Sequence, residues 1–123
     1  MEGRIDYYPT HECRGFRFRK GHVLPFGATV VGSGVNFSIY SSAAEACTLV
    51  LFRKHEPEPM VEIEFPRSFH IGGVYSMIVF DLDYEDIEYG YRFSGPWDPG
   101  RGLRFDYSKI VSDPYGRVIG GRD

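Results

Sequence analysis

The sequence predicts an all-β chain, an antiparallel β-sandwich of immunoglobulin type, and three observations carry that reading. Residues 35–40 and 61–65 alternate apolar and polar side chains with period two, the mark of a strand with two unlike faces. Residues 46–52 and 74–80 are continuous apolar runs of strand length, bounded by glycine, proline or charged turns. No segment long enough for an ordinary helix holds a 3.6-residue period.

Taken in order, residues 1–12 are polar and aromatic without a clear period. Residues 14–20 interleave Arg14, Arg17, Arg19 and Lys20 with Phe16 and Phe18, which suits a charge-protected edge strand. Residues 24–29 read as a turn or bulge, and Gly32-Ser33-Gly34 as a second turn. In residues 35–40, Val35, Phe37 and Ile39 face the core, and Asn36, Ser38 and Tyr40 face out. The run 46–52 suits a strand covered on both faces. Residues 54–59 form a charged loop with two prolines. Residues 61–65 are a strand with Glu62 and Glu64 on a solvated face. Gly72-Gly73 is a turn before the apolar strand 74–80. Residues 81–88 form an acidic connection, and 89–93 the last clear strand. About six strands at this spacing point to a sandwich.

Composition bounds the rest. One domain is expected at 123 residues, with 42% hydrophobic and 25% charged residues in the ordinary globular range. Ten Phe, nine Tyr, 15 Gly and eight Pro favour strands and tight turns. A net charge of −3 argues against a nucleic-acid partner. No apolar run approaches the roughly 20 residues that span a bilayer, so no membrane partner is expected. Cys13 and Cys47 make no disulfide scaffold; one exposed and one buried thiol in a reducing cytoplasm is the expectation.

The acidic run Asp81, Asp83, Glu85, Asp86 and Glu88 fails as an EF-hand, because its sixth and twelfth positions hold Asp86 and Arg92. It reads as a solvated loop. His11 and Cys13 lie close, but nothing completes a zinc set, and neither metal nor cofactor is expected. No Gly-x-Ser-x-Gly elbow is present. The cation–aromatic run at 14–20 resembles a single-strand nucleic-acid groove, but the acidic remainder favours an edge strand. Asn36-Phe37-Ser38 fits a glycosylation sequon, discounted because it lies inside a strand.

Residues 89–115 put much aromatic and apolar surface into the tail, which implies that the tail lies against something else. Trp97, Tyr91 and Tyr89 are candidate platforms for sugar rings, whose C–H faces suit flat aromatics. The alternative is that they pack a turn or an interface.

Three motifs then carry a resemblance. Leu24-Pro25-Phe26-Gly27-Ala28-Thr29 followed by Gly34-Val35-Asn36-Phe37-Ser38 resembles the opening of bacterial glycogen-debranching enzymes and isoamylases. Tyr89-Gly90-Tyr91-Arg92-Phe93, with Gly95-Pro96-Trp97-Asp98-Pro99 and Gly102-Leu103-Arg104-Phe105-Asp106, is similar to their Tyr-Gly-Tyr-Arg and Gly-Pro-Tyr-Asp-Pro segments. Lys109-Ile110-Val111-Ser112-Asp113-Pro114-Tyr115 is similar to their Lys-Leu-Leu-Leu-Asp-Pro-Tyr.

The resemblance covers about residues 20–116. It implies the immunoglobulin-like carbohydrate-binding module of family 48 that precedes a glycoside hydrolase family 13 barrel. That barrel cleaves α-1,6 branch points with an Asp nucleophile and a Glu acid/base. At around 250 residues the barrel lies outside these 123, so the segment is expected to hydrolyse nothing by itself. The implied layout is an N-terminal extension or edge strand at 1–19, the sandwich at 20–108 and a docking tail at 109–123. The implied partners are the chain's own catalytic barrel and branched α-glucan, in the cytoplasm. The implied docking surface is Pro96, Trp97, Asp98, Pro99, Leu103, Phe105, Asp113, Pro114 and Tyr115. The glycogen-binding members of the family use two exposed tryptophans with a Lys and an Asn, whereas this chain has Trp97 alone. That departure favours a supporting role over autonomous glucan binding. A protein-interaction sandwich unrelated to sugar is the remaining alternative.

Overall fold

The computed structural model describes residues 8–113 and 120–121. The chain forms β1 (His11–Cys13), β2 (Phe16–Lys20), β3 (Gly27–Val31), β4 (Gly34–Tyr40), β5 (Ala46–Arg53) and β6 (Val61–Glu64). It continues through β7 (His70–Ile71), β8 (Val74–Phe80), β9 (Ile87–Ser94), β10 (Trp97–Asp98), β11 (Leu103–Arg104) and β12 (Gly120–Gly121). The helical elements among the described residues are single 3-10 turns at Arg67–Phe69, Tyr84–Asp86 and Pro99–Arg101. One sheet has the order β1-β2-β8-β4-β3, with β7 also on β8; the facing sheet has the order β12-β9-β5-β6. All pairings are antiparallel except β12 with β9. The fold is the all-β, immunoglobulin-like sandwich that the alternating pattern predicts.

The core lies between the sheets. Val35, Phe37 and Ile39 of β4 and Tyr75, Met77 and Val79 of β8 meet Cys47, Leu49 and Leu51 of β5 and Tyr89, Tyr91 and Phe93 of β9. Each such side chain contributes roughly 1.5–3 kcal/mol through burial. Phe37 packs edge-on to Tyr89 at 5.1 Å between ring centroids.

Three sequence expectations need correction. Residues 14–20 are not an edge strand: β2 lies inside the sheet, paired with β8 through Phe18 and Val79, and the edge is β1. Burying Phe18 is worth roughly 2 kcal/mol, and the flanking cations keep solvent-side partners, Arg17 with Asp81 and Arg19 over the Tyr8 ring at 5.0 Å. Residues 27–31 are a strand, not a turn, because β3 pairs residue by residue with β4. Asn36 and Ser38 do point away from the core, yet both are buried.

The segment joining β2 to β3 crosses over Asn36 and Ser38. Asn36 Oδ1 accepts from the His22 N–H at 2.7 Å, and Asn36 Nδ2 donates to the His22 carbonyl at 3.0 Å. Ser38 Oγ donates to the Val23 carbonyl at 2.6 Å. A Cβ at Gly21 would overlap Asn36 Oδ1 and the Met77 backbone, so only glycine permits that approach. Asn36 is closed to any glycosylating enzyme in the folded chain.

Both cysteines are free thiols. Cys47 is fully buried and its burial pushes the thiol far above the ordinary range, whereas Cys13 is half-buried. The native protein should therefore titrate a single thiol with a disulfide reagent at neutral pH, and two in urea. Two fast-reacting thiols in the native state would contradict this packing.

Candidate functional site

The tail after β9 builds the surface of interest. Trp97 opposes Arg104, and Asp98 opposes Leu103, in the small β10–β11 hairpin. Its turn closes with Gly102, whose φ of 78° favours glycine and whose N–H donates to the Pro99 carbonyl at 3.0 Å. Phe105 lies against Gly95, where a Cβ would come within 2.9 Å of its ring. Asp106 Oδ1 then accepts from the Ser108 N–H at 3.0 Å and its hydroxyl at 2.7 Å. These bonds, the hydroxyl's first, hold the Asp106 carboxyl below its ordinary value, with help from Lys109 and against slight desolvation.

From there the chain crosses the outer face of the β9–β5 sheet as a strap and comes to lie beside β9. Val111 exchanges both backbone bonds with Tyr91, at 2.7 and 3.0 Å. Ile110 occupies the space over Gly90 that any Cβ would fill. Arg92 reaches up from β9, donating to Glu62 at 2.8 Å and to the Ser108 carbonyl at 2.9 Å. Thr48 Oγ1 lies 2.9 Å from the Tyr107 hydroxyl. The strap ends where the Tyr89 hydroxyl donates to Asp113 Oδ2 at 2.5 Å in a buried setting. Burial foremost, then the bond and charge of Asp113, push the Tyr89 hydroxyl's pKa far up, so it stays protonated and donates.

The residues expected at a site therefore separate. Trp97 is 63% exposed, and Pro96 and Pro99 are exposed beside it; Asp98, Leu103 and Phe105 are half-buried. Tyr91 is no sugar platform: it is 0% exposed, its ring packs on Tyr89 and Phe93, and burial raises its hydroxyl well above the usual value. Asp113, implied at the docking surface, is buried, and its carboxylate accepts from the Tyr89 hydroxyl. Pro114 and Tyr115 lie outside the described residues. The tail's apolar content is spent largely on its own sandwich, where the sequence implied a separate partner.

The strap leaves a cleft of about 460 Å³ between the end of β4, β9 and residues 104–112. Tyr40, Phe93 and Phe105 supply apolar lining; Arg104, Asp106 and Lys109 supply charge. Sequence reasoning placed Tyr40 merely outward and gave Arg104 and Lys109 no role. Their meeting depends on the strap's path, for which a linear pattern holds no signal.

The sequence matches the family described as carbohydrate-binding module 48, the isoamylase N-terminal domain, over residues 25–116. It is 37% identical over 111 residues to a chloroplastic isoamylase 1 of Arabidopsis thaliana, covering 88% of this chain and 14% of that protein. It is 36% identical over 101 residues to a glycogen debranching enzyme of Salmonella typhi, covering 82% and 15% respectively. The chain thus spans a small fraction of the length of these relatives. Among solved structures, a ligand-free pullulanase variant from Klebsiella pneumoniae aligns with a TM-score of 0.60 at 23% identity, covering 75% of this chain and 8% of that one. A Paenibacillus barengoltzii pullulanase variant complexed with maltotriose aligns at 0.57 and 18%, covering 75% and 12%. These two likenesses concern the fold. The chain belongs to the carbohydrate-binding module 48 family.

Two outcomes follow from the strap. Tyr89→Phe should lower the unfolding free energy in urea by about 1–3 kcal/mol, since Asp113 loses a buried donor; an unchanged midpoint would remove that bond from the account. The Asp106 carboxyl has a folded pKa below its ordinary 3.8. Its grip on Ser108 is therefore complete above that value and is lost as pH falls through the lower folded one. The Ser108 amide resonance should move only in that acid window, and movement at pH 5–6 would speak against it.

Proposed function

We propose that this member of the carbohydrate-binding module 48 family is the non-catalytic N-terminal module of an α-1,6-glucan debranching glycosidase, working in glycogen or amylopectin metabolism. It seats against the catalytic domain through the β10–β11 hairpin, with Trp97 as the anchor beside Pro96, Pro99 and Leu103. The observation that carries the reading is the family match together with relatives named isoamylase and glycogen debranching enzyme, of which this chain covers 14% and 15%.

Two features support it. A retaining glycosidase needs two carboxyl groups about 5–5.5 Å apart across the scissile bond, and among the described residues the cleft beside the end of β4 is lined by one carboxylate, Asp106. Trp97 stands 63% exposed on a short hairpin, and tryptophan is enriched at the buried centres of interfaces. The free thiols of Cys13 and Cys47 support a reducing compartment such as the cytoplasm.

The test is a chimera in which this chain replaces the segment it matches in the Salmonella typhi glycogen debranching enzyme. The chimera should fold, debranch limit dextrin and melt as one unit. Trp97→Asp within it should lower Tm by several degrees, about 2 kcal/mol of lost interface packing. The isolated chain should release no reducing sugar. A chimera whose melting and activity ignore both Trp97→Asp and deletion of the module would sink the supporting role.

A further inference from the structure

Trp97 and Arg104 are register partners across β10 and β11, so their side chains leave the same face of the hairpin, and both are exposed. On the opposite face Asp98 and Leu103 are partners, and both are half-buried. Arg101 is exposed in the turn between the two strands. Among the described residues the Arg101 and Arg104 side chains make no hydrogen bond or ion pair. The nearby charges do not answer them. Asp106 is held by Ser108 through Oδ1 and is paired electrostatically with Lys109, and Asp98 stands on the hairpin's other face. Two uncompensated arginines thus flank an exposed tryptophan on a chain whose net charge is −3.

The cleft that Arg104 lines is walled by Tyr40, Phe93 and Phe105. Tyr40 ends β4 and is 55% exposed. Its ring is backed by Gly73, where a Cβ would stand 2.8 Å from Tyr40 Cε1. Gly73 has φ 85°, a left-handed value that favours glycine, and its carbonyl accepts from the Ser41 N–H at 2.7 Å. The ring is therefore in place before any contact. Apolar walls suit an apolar side chain, and the arginines beside them suit carboxylates, which they meet in a planar, two-pronged geometry. A nucleic-acid strand is disfavoured by the acidic remainder of the chain. A second copy answers poorly, because a two-fold contact sets this patch on itself, arginines toward arginines.

We infer that the surface of the neighbouring catalytic domain that meets this edge is acidic, with an apolar side chain entering the cleft beside Tyr40 and carboxylates pairing with Arg101 and Arg104. The inference rests on the reading that the module seats against a catalytic domain of its own polypeptide, which its coverage of 14% and 15% of the isoamylase and debranching-enzyme relatives supports. Tryptophan and arginine are also the residue types over-represented at the energetic centres of interfaces.

The experiment is thermal unfolding of the chimera with the Salmonella typhi enzyme, at low salt and at about 1 M salt, carrying Arg104→Glu, Arg101→Glu or Trp97→Ala. The same variants are melted in the 123-residue chain. At low salt each arginine reversal should lower the chimera's Tm by about 2–4 °C. At about 1 M salt, where the screening length is about 3 Å, less than about half of that loss should remain. In the 123-residue chain both reversals should leave Tm within about 1 °C, since neither side chain has an internal partner. Trp97→Ala should lower the chimera's Tm about equally at both salts. Wild-type Tm in both reversal chimeras overturns the acidic surface. So does an equal loss in the 123-residue chain, which makes the arginines structural within the module. So does a loss that salt leaves unchanged. In sedimentation the chain alone should be a monomer, and a dimer that Trp97→Ala dissociates gives the surface to a second copy and overturns the inference. Should the reversals do nothing while Trp97→Ala destabilises the chimera, the supporting reading stands without its charges. Should neither matter, both fall.

Discussion

The architecture depends on covering two sheets that bury residues on both faces. The inward residues of β5 and β8 fill the shared core, yet Val50 and Phe52 on the outward face of β5, and Ile78 and Phe80 on that of β8, are also buried. Exposing them would cost roughly 1.5–3 kcal/mol apiece. Among the described residues there is no helix longer than a single turn to cover a sheet, and the chain's own connections do so. The β2–β3 crossing closes over one sheet and the 105–113 strap over the other. Each needs a glycine at the point of nearest approach, Gly21 beneath one and Gly90 beneath the other. Each is tied down by side chains of the strand it meets, Asn36 and Ser38 in one case, outward Arg92 and inward Tyr89 in the other.

The strap then dictates where a site can be. It must leave the hairpin at Phe105, turn at Asp106 and reach β9 at Val111. In doing so it cannot follow the sheet surface closely, and the gap beside the end of β4 is the cleft. Three of its functional groups, Arg104, Asp106 and Lys109, come from within six residues of one covering segment, while the ring comes from a strand end more than sixty residues earlier. The covering device and the candidate site are built from the same residues.

That geometry also marks what the sequence could disclose. Period-two alternation in residues 35–40 and 61–65 placed Phe37, Ile39 and Ile63 in the core, because the pleat enforces it. The pattern could not show that Asn36 and Ser38 are buried as well, since a polar residue under a covering loop and one in water read alike. β2 was hidden by Arg17 and Arg19, whose charge reads as an edge although Phe18 reaches the core. β3 was hidden by Pro25 and Gly27, which punctuate a turn but sit just outside or at the first residue of a strand. The tail was misjudged in direction. Its apolar residues do need a partner, and most of them find it in their own sandwich. Tyr91 offers the flat aromatic face that sugar rings suit, yet its parity with Tyr89 and Phe93 puts it inside.

The inward turn of the tail narrows what remains for contact with other molecules. With Phe105 and Ile110 packed and Asp113 bonded to Tyr89, the outward apolar surface among the tail's described residues is mainly Trp97, Tyr107 and Val111. Val111 lines the cleft, and Trp97 stands on the hairpin whose second strand lends Arg104 to that cleft. Both are pre-set by short-range constraints, Gly102 and the Pro99 carbonyl for the hairpin, Gly73 and Ser41 for the Tyr40 ring. Groups held in place before binding lose little freedom on contact, so a modest area can yield useful affinity.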